Sequence, residues 1–150
     1  MTVLLNYSSW HKLGIVGPIV HFRAVDVPND LVLIREILGA VRDKEYLKPR
    51  PIQIEGYEPV LVMRHVKRLY DDNLLEGTVS QAIGLEAPMV LVTDLTTAGH
   101  NFLAALEQET VWNRLSKVLS PTELASLTWE QIAELAKELA FTAIKKKLGL

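Results

Sequence analysis

Glu55-Gly56-Tyr57-Glu58-Pro59-Val60 runs into Leu61-Val62-Met63-Arg64-His65-Val66-Lys67-Arg68-Leu69-Tyr70-Asp71-Asp72. The run breaks at Asn73-Leu74-Leu75-Glu76-Gly77, and Leu95-Thr96-Thr97-Ala98-Gly99-His100-Asn101-Phe102-Leu103 closes the stretch. From about Glu58 to Asn73 the spacing predicts a helix. Val62, Val66, Leu69 and Tyr70 share one side, Arg64, Lys67, Arg68 and Asp71 the other, and His65 and Asp72 flank the two. One face must pack, and the other meets water or a ligand.

Beyond the break, 74–79 and 89–95 read as two antiparallel strands joined by a loop containing Gly84 and Pro88. A helix then starts at Thr96 or Thr97, buries Phe102, Leu103 and Leu106, and fades near Gln108. The order helix, strand, loop, strand, helix is that of the second half of a winged helix. The expected fold class is therefore α+β: a winged helix-turn-helix-like core, with a small antiparallel sheet and a wing hairpin, plus C-terminal helices.

Upstream, Asn29 or Asp30 can cap a helix over roughly 31–43, with Leu31, Ile34, Leu38 and Val41 on one face. Lys48-Pro49-Arg50-Pro51 ends any helix, Ile52-Gln53-Ile54 offers a very short strand, and Gly56 makes a turn. Residues 1–28 look different. Val20, Phe22 and Ala24 alternate with His21 and Arg23 between Pro18 and Pro28, a strand-like extension or arm.

Downstream, a helix begins near Thr110. Ser120-Pro121-Thr122-Glu123 and Thr128-Trp129-Glu130-Gln131 are two capping boxes, the first with proline at the first helical position. Ile132, Leu135, Ala136, Leu139 and Ala143 then form an apolar stripe that can either fold back on the core or pair with a second chain. Lys145-Lys146-Lys147 suit the negative end of the helix dipole, and Gly149 can cap it. The expected organisation is one domain: an extension over 1–28, a core over 29–108 and a helical tail over 109–150.

Composition bounds the function classes. The chain of 150 residues has no cysteine, which removes disulfides, thiol catalysis and thiolate metal sites. No apolar run reaches the length of a signal sequence or a membrane span, so a soluble, cytoplasmic protein is expected. Hydrophobic residues make up 49% and mean hydropathy is +0.15, which favours a homodimer that covers some apolar surface. The net charge of −2 confines any nucleic-acid role to a local patch.

Several spaced motifs carry a resemblance over residues 30–150. Leu31-Val32-Leu33-Ile34-Arg35-Glu36-Ile37-Leu38, Ile54-Glu55-Gly56-Tyr57, His65-Val66-Lys67-Arg68-Leu69-Tyr70-Asp71, Leu74-Leu75-Glu76, Thr97-Ala98-Gly99-His100-Asn101-Phe102-Leu103, Thr110-Val111-Trp112-Asn113 and the ending Lys146-Lys147-Leu148-Gly149-Leu150 occur in that order. Together they resemble an uncharacterised family of small bacterial and prophage-encoded proteins, a domain of unknown function. The resemblance implies a winged-helix-like domain with a helical tail and names no enzymatic activity. Residues 1–28 are an addition to the family pattern, and Pro59 stands where an acidic residue is more usual.

Arg64, Lys67 and Arg68 are the leading site candidates. On the second helix of a helix-turn-helix, such side chains reach guanine or phosphate in the major groove of duplex DNA. Thr78, Ser80 and Gln81 of the hairpin are candidate phosphate contacts, since uncharged donors also serve. Against this, acids crowd the same helix, and Gly77 to Met89 carries Glu86 but no lysine or arginine. The leading expectation is a DNA-binding regulator, with a protein-interaction module on the same scaffold as the competing one. His65 and His100 fall short of a metal site without a third ligand. No catalytic motif is present, so neither enzymatic activity nor a cofactor is expected. Trp112 reads as a core anchor joining core and tail.

Overall fold

The computed structural model describes residues 29–45, 47–81 and 89–150. The expected strand-like arm at 1–28 and the hairpin connection at 82–88 lie outside them. Among the described residues, six helices and one antiparallel hairpin form an α+β arrangement: α1 (Leu31–Arg42), α2 (Pro59–Asp71), β1 (Leu75–Ser80), β2 (Met89–Leu95), α3 (Thr97–Leu106), α4 (Glu109–Val118), α5 (Pro121–Ala125) and α6 (Trp129–Lys147). No helix among the described residues is long and apolar enough to cross a membrane.

Local sequence explains most boundaries. Asp30 caps α1 by accepting from the Leu33 N–H, and Thr96 caps α3 by accepting from Gly99. Both expected capping boxes form, at Ser120 with Glu123 and at Thr128 with Gln131. α2 ends in a two-bond turn, Leu74 N–H to Leu69 carbonyl and Asn73 N–H to Tyr70 carbonyl, with Asn73 at φ 63°. Asparagine tolerates this left-handed geometry better than most side chains, which is why the helix stops abruptly there. Gly149 closes α6 with the same pair of bonds.

α1 buries more than one stripe. Leu33 and Ile37 join Leu31, Ile34, Leu38 and Val41 in the core, because α2, α3 and β2 surround the helix on several sides. Each such Leu or Ile contributes about 1.5–3 kcal/mol through removal from water. The core continues through Val62, Val66, Leu69, Leu74, Val92, Phe102 and Leu106 into the tail, where Trp129, Ile132 and Ala136 pack on α3 and α4.

Two close approaches require glycine. A Cβ at Gly99 would run into the Leu74 carbonyl, and one at Gly77 into the Leu91 carbonyl, beside the bulge between Glu76 and Gly77. The chain thus lays α3 directly against the end of α2.

The short strand expected at Ile52–Ile54 does not form. Arg50 instead bridges the free edge of β2, exchanging two hydrogen bonds with Val92 at 3.0 and 2.7 Å. Pro49 and Pro51 lack the N–H a ladder needs, so pairing is confined to the residue between them. Ile52 and Ile54 pack partly against the core without a strand. No helix occupies the described residues between α1 and α2, so the short turn of a helix-turn-helix is replaced by this extended connection.

Candidate functional site on the second helix

The three candidate cations of α2 are all half-buried, and they have different fates. Lys67 Nζ lies 2.7 Å from both carboxylate oxygens of Asp71, one turn along the same helix. Arg68 turns inward: its Nη1 donates to Asn29 Oδ1 at 2.9 Å. Asn29 in turn donates to the Leu124 and Leu127 carbonyls at 2.7 and 3.2 Å, so Arg68 fastens the core to the tail. Burial pushes the Arg68 guanidinium below its ordinary value, the nearby Arg64 charge pushes the same way, and Asp72 opposes both. Arg64 Nε is buried without a hydrogen-bond partner among the described residues.

On the hairpin, Thr78 and Gln81 are exposed and Ser80 is half-buried. No hydrogen bond among the described residues joins any of them to the three cations. Two cations at the end of α1 are engaged as well. Arg42 is held by Glu107 at 2.6 Å and by Asp43 at 3.0 Å. Lys44 Nζ donates to three backbone carbonyls, those of Val92, Thr93 and Lys48, at 2.6, 3.0 and 3.0 Å. Desolvation there lowers the Lys44 ammonium from its ordinary value. Lys48 and Arg50 remain exposed. Residues 29–108 hold eight Lys and Arg against twelve Asp and Glu, so the core is more acidic than the chain as a whole.

His65 lies inside the protein, not on the flank of α2. It is 0% exposed, its Nε2 accepts the Asp30 N–H at 3.1 Å, and its Nδ1 is 2.9 Å from the Leu61 carbonyl. An Nε2 that accepts carries no proton, so the ring is the neutral Nδ1–H form donating to Leu61. Desolvation is the main force lowering its pKa. His100 is exposed and stands 3.7 Å from Asp94, in a separate place. No group of three or more potential metal ligands exists among the described residues.

Beside the first turn of α2, the 51–57 connection and the start of β2 enclose an open groove of about 650 Å³. Its walls include Ile52, Ile54, Tyr57, Val62, Met63 and Met89, with Glu55 on its lining. The neighbouring Glu58 and Val60 are exposed. The Tyr57 phenol is held above its ordinary value by burial first and by Asp30 and Glu36 next, so deprotonation there is disfavoured.

Trp112 meets the core through a cation. The Arg35 guanidinium stacks 3.6 Å from its ring centroid, tying α1 to α4. Trp129 is the fully buried anchor of the tail, and its backbone N–H donates to Asp72 Oδ2 at 2.8 Å. Sequence reasoning missed Asn29, Lys44, Asp72 and Trp129 as fasteners. Asp72 and Trp129 are 57 positions apart, and neither carries a local signal for the other.

No curated protein and no solved structure matches the chain. Residues 29–126 match the family described as hypothetical protein (DUF2513), and the chain belongs to that family.

Proposed function

We propose that the core is a winged-helix scaffold turned to protein contact, with the partner seated on the outer face of α2 and the groove beside its first turn. One observation carries this reading: an open apolar groove with acids beside it adjoins a helix whose Lys67 and Arg68 are already engaged within the chain. Duplex binding draws its affinity from free cations meeting phosphate, and a core with twelve acids to eight bases opposes it. An apolar groove of this size accepts one or two anchoring side chains of a protein, as interface hot spots do.

Duplex DNA is the second reading, favoured by Arg64 and Lys67 on one side of α2, because an exposed ion pair such as Lys67–Asp71 is weak and a phosphate can replace its acid. A titration of labelled duplex at low and moderate salt separates the two. Protein contact predicts no saturable binding at low salt. It also predicts that photo-crosslinkers at Val60 and Met63, in cells of the source organism, yield a discrete protein adduct that is absent from a probe at Val118. Salt-dependent duplex binding abolished by Arg64→Ala would overturn it in favour of DNA.

A further inference from the structure

The tail stripe open to either folding back or pairing with a second chain, Ile132 to Ala143, mostly faces inward: Ile132 and Ala136 are buried and Leu139 packs against the core. A different stripe is left open. From Phe141 onward no residue of the chain is buried, although α6 continues to Lys147. Phe141 is 62% exposed, Ile144 48% and Leu148 69%, and their i, i+3, i+7 spacing puts them on one side of the helix end. Exposed phenylalanine and leucine in a continuous row mark a contact surface.

Charge identifies the occupant. At about 3.6 residues per turn, Glu134, Glu138 and Lys145 lie together along one flank of that row, and Lys137 and Ile144 along the other. Glu134, Glu138 and Lys145 are all exposed. Neither glutamate is in an ion pair among the described residues, and Lys145 meets only the Phe141 ring, at 5.5 Å. In an antiparallel helix pair like flanks face each other. A two-fold axis through Phe141 then sets Phe141 against its equivalent and Lys145 between Glu134 and Glu138 of the other copy. Ile144 lies over the aliphatic stem of the other copy's Lys137. A parallel pair would instead bring unlike flanks together and leave Lys145 beside Ile144, with no carboxylate to meet.

We infer that the outer face of α6 is a self-complementary surface for a second copy of this chain, paired antiparallel about Phe141. The overlap spans about 15 residues, roughly 20 Å of helix, and is smaller than a standard interface of about 1,200–2,000 Å². The association is therefore weak and transient. The surface is separate from the α2 groove, so it stands whether the partner there is protein or DNA.

The chain has no cysteine, which makes the test direct. Sedimentation equilibrium of the full chain is expected to show a monomer–dimer equilibrium. Phe141→Asp weakens it at least about tenfold, as does Lys145→Glu, with unchanged circular dichroism. Glu134→Lys, Glu138→Lys and Lys145→Glu combined restore dimerisation. Phe141→Cys forms an interchain disulfide under mild oxidation, whereas Val118→Cys does not. A monomer at all concentrations, or a dimer indifferent to Phe141→Asp, overturns the inference. So does a monomer that binds vesicles of anionic lipid through the same stripe, which would assign the stripe to a membrane surface.

Discussion

Arg68 reaches Asn29 across 2.9 Å, and through it the carbonyls that end α5. A cation placed on α2 for a ligand would leave its guanidinium in solvent, whereas this one closes the seam between core and tail. Arg68→Ala is expected to lower unfolding stability by about 1.5–3 kcal/mol, the range for a hydrogen bond to a charged group. Asn29→Ala should cost a similar amount, and the double variant less than the sum. Urea unfolding of the four proteins checks this; strict additivity would mean that the two side chains act separately.

His65 makes stability depend on pH in a known direction. Its folded pKa lies below the ordinary value near 6.5, chiefly through desolvation. The unfolded chain therefore takes up the proton first. Stability is complete above about pH 6.5 and falls as pH drops from there toward the lower folded value. His65→Gln, which cannot titrate, should flatten that slope while lowering stability at neutral pH. Thermal melts between pH 5 and pH 8 measure both effects.

Gly99→Ala places a methyl against the Leu74 carbonyl, where only backbone could give way. Forced overpacking of this kind costs about 1–3 kcal/mol. Gly39→Ala is the control, since nothing lies within 4 Å of its added carbon, and a helical alanine there should stabilise slightly. Parallel denaturant titrations would show the opposite signs.

Asn73, at φ 63°, separates backbone strain from side-chain chemistry. Asn73→Gly is expected to be near neutral, and Asn73→Val to lose at least about 1 kcal/mol. Equal losses for both would show that the amide, not the dihedral angle, is what matters there.

The parts legible in the sequence are those decided within a few residues. Asp30, Thr96, Ser120, Thr128 and Gly149 sit at helix ends because their side chains or dihedral angles satisfy backbone groups one turn away. The paired strands follow from β-branched and apolar patterning on either side of a loop. His65 falls on the flank of α2 by spacing, and its burial follows only once the Asp30 N–H that satisfies it is known. Arg64, Lys67 and Arg68 share a face in the sequence, yet Arg68 is withdrawn by a residue 39 positions away. In the tail, Ile132 and Phe141 head two apolar rows of similar strength, and only the placement of α3 and α4 decides which one is covered.

Trp129 stands just past residue 126, where the family match stops, and yet it is among the largest fully buried side chains of the described residues. Inheritance and folding thus draw different borders. A fragment trimmed to the shared segment would keep its helix signals and its hairpin, but would have an indole-sized hollow where α6 should rest and an Asp72 carboxylate with no amide to hold. Such a piece should recover from expression as aggregate or as a loosely packed globule. The smallest autonomous unit must therefore include the first turns of α6.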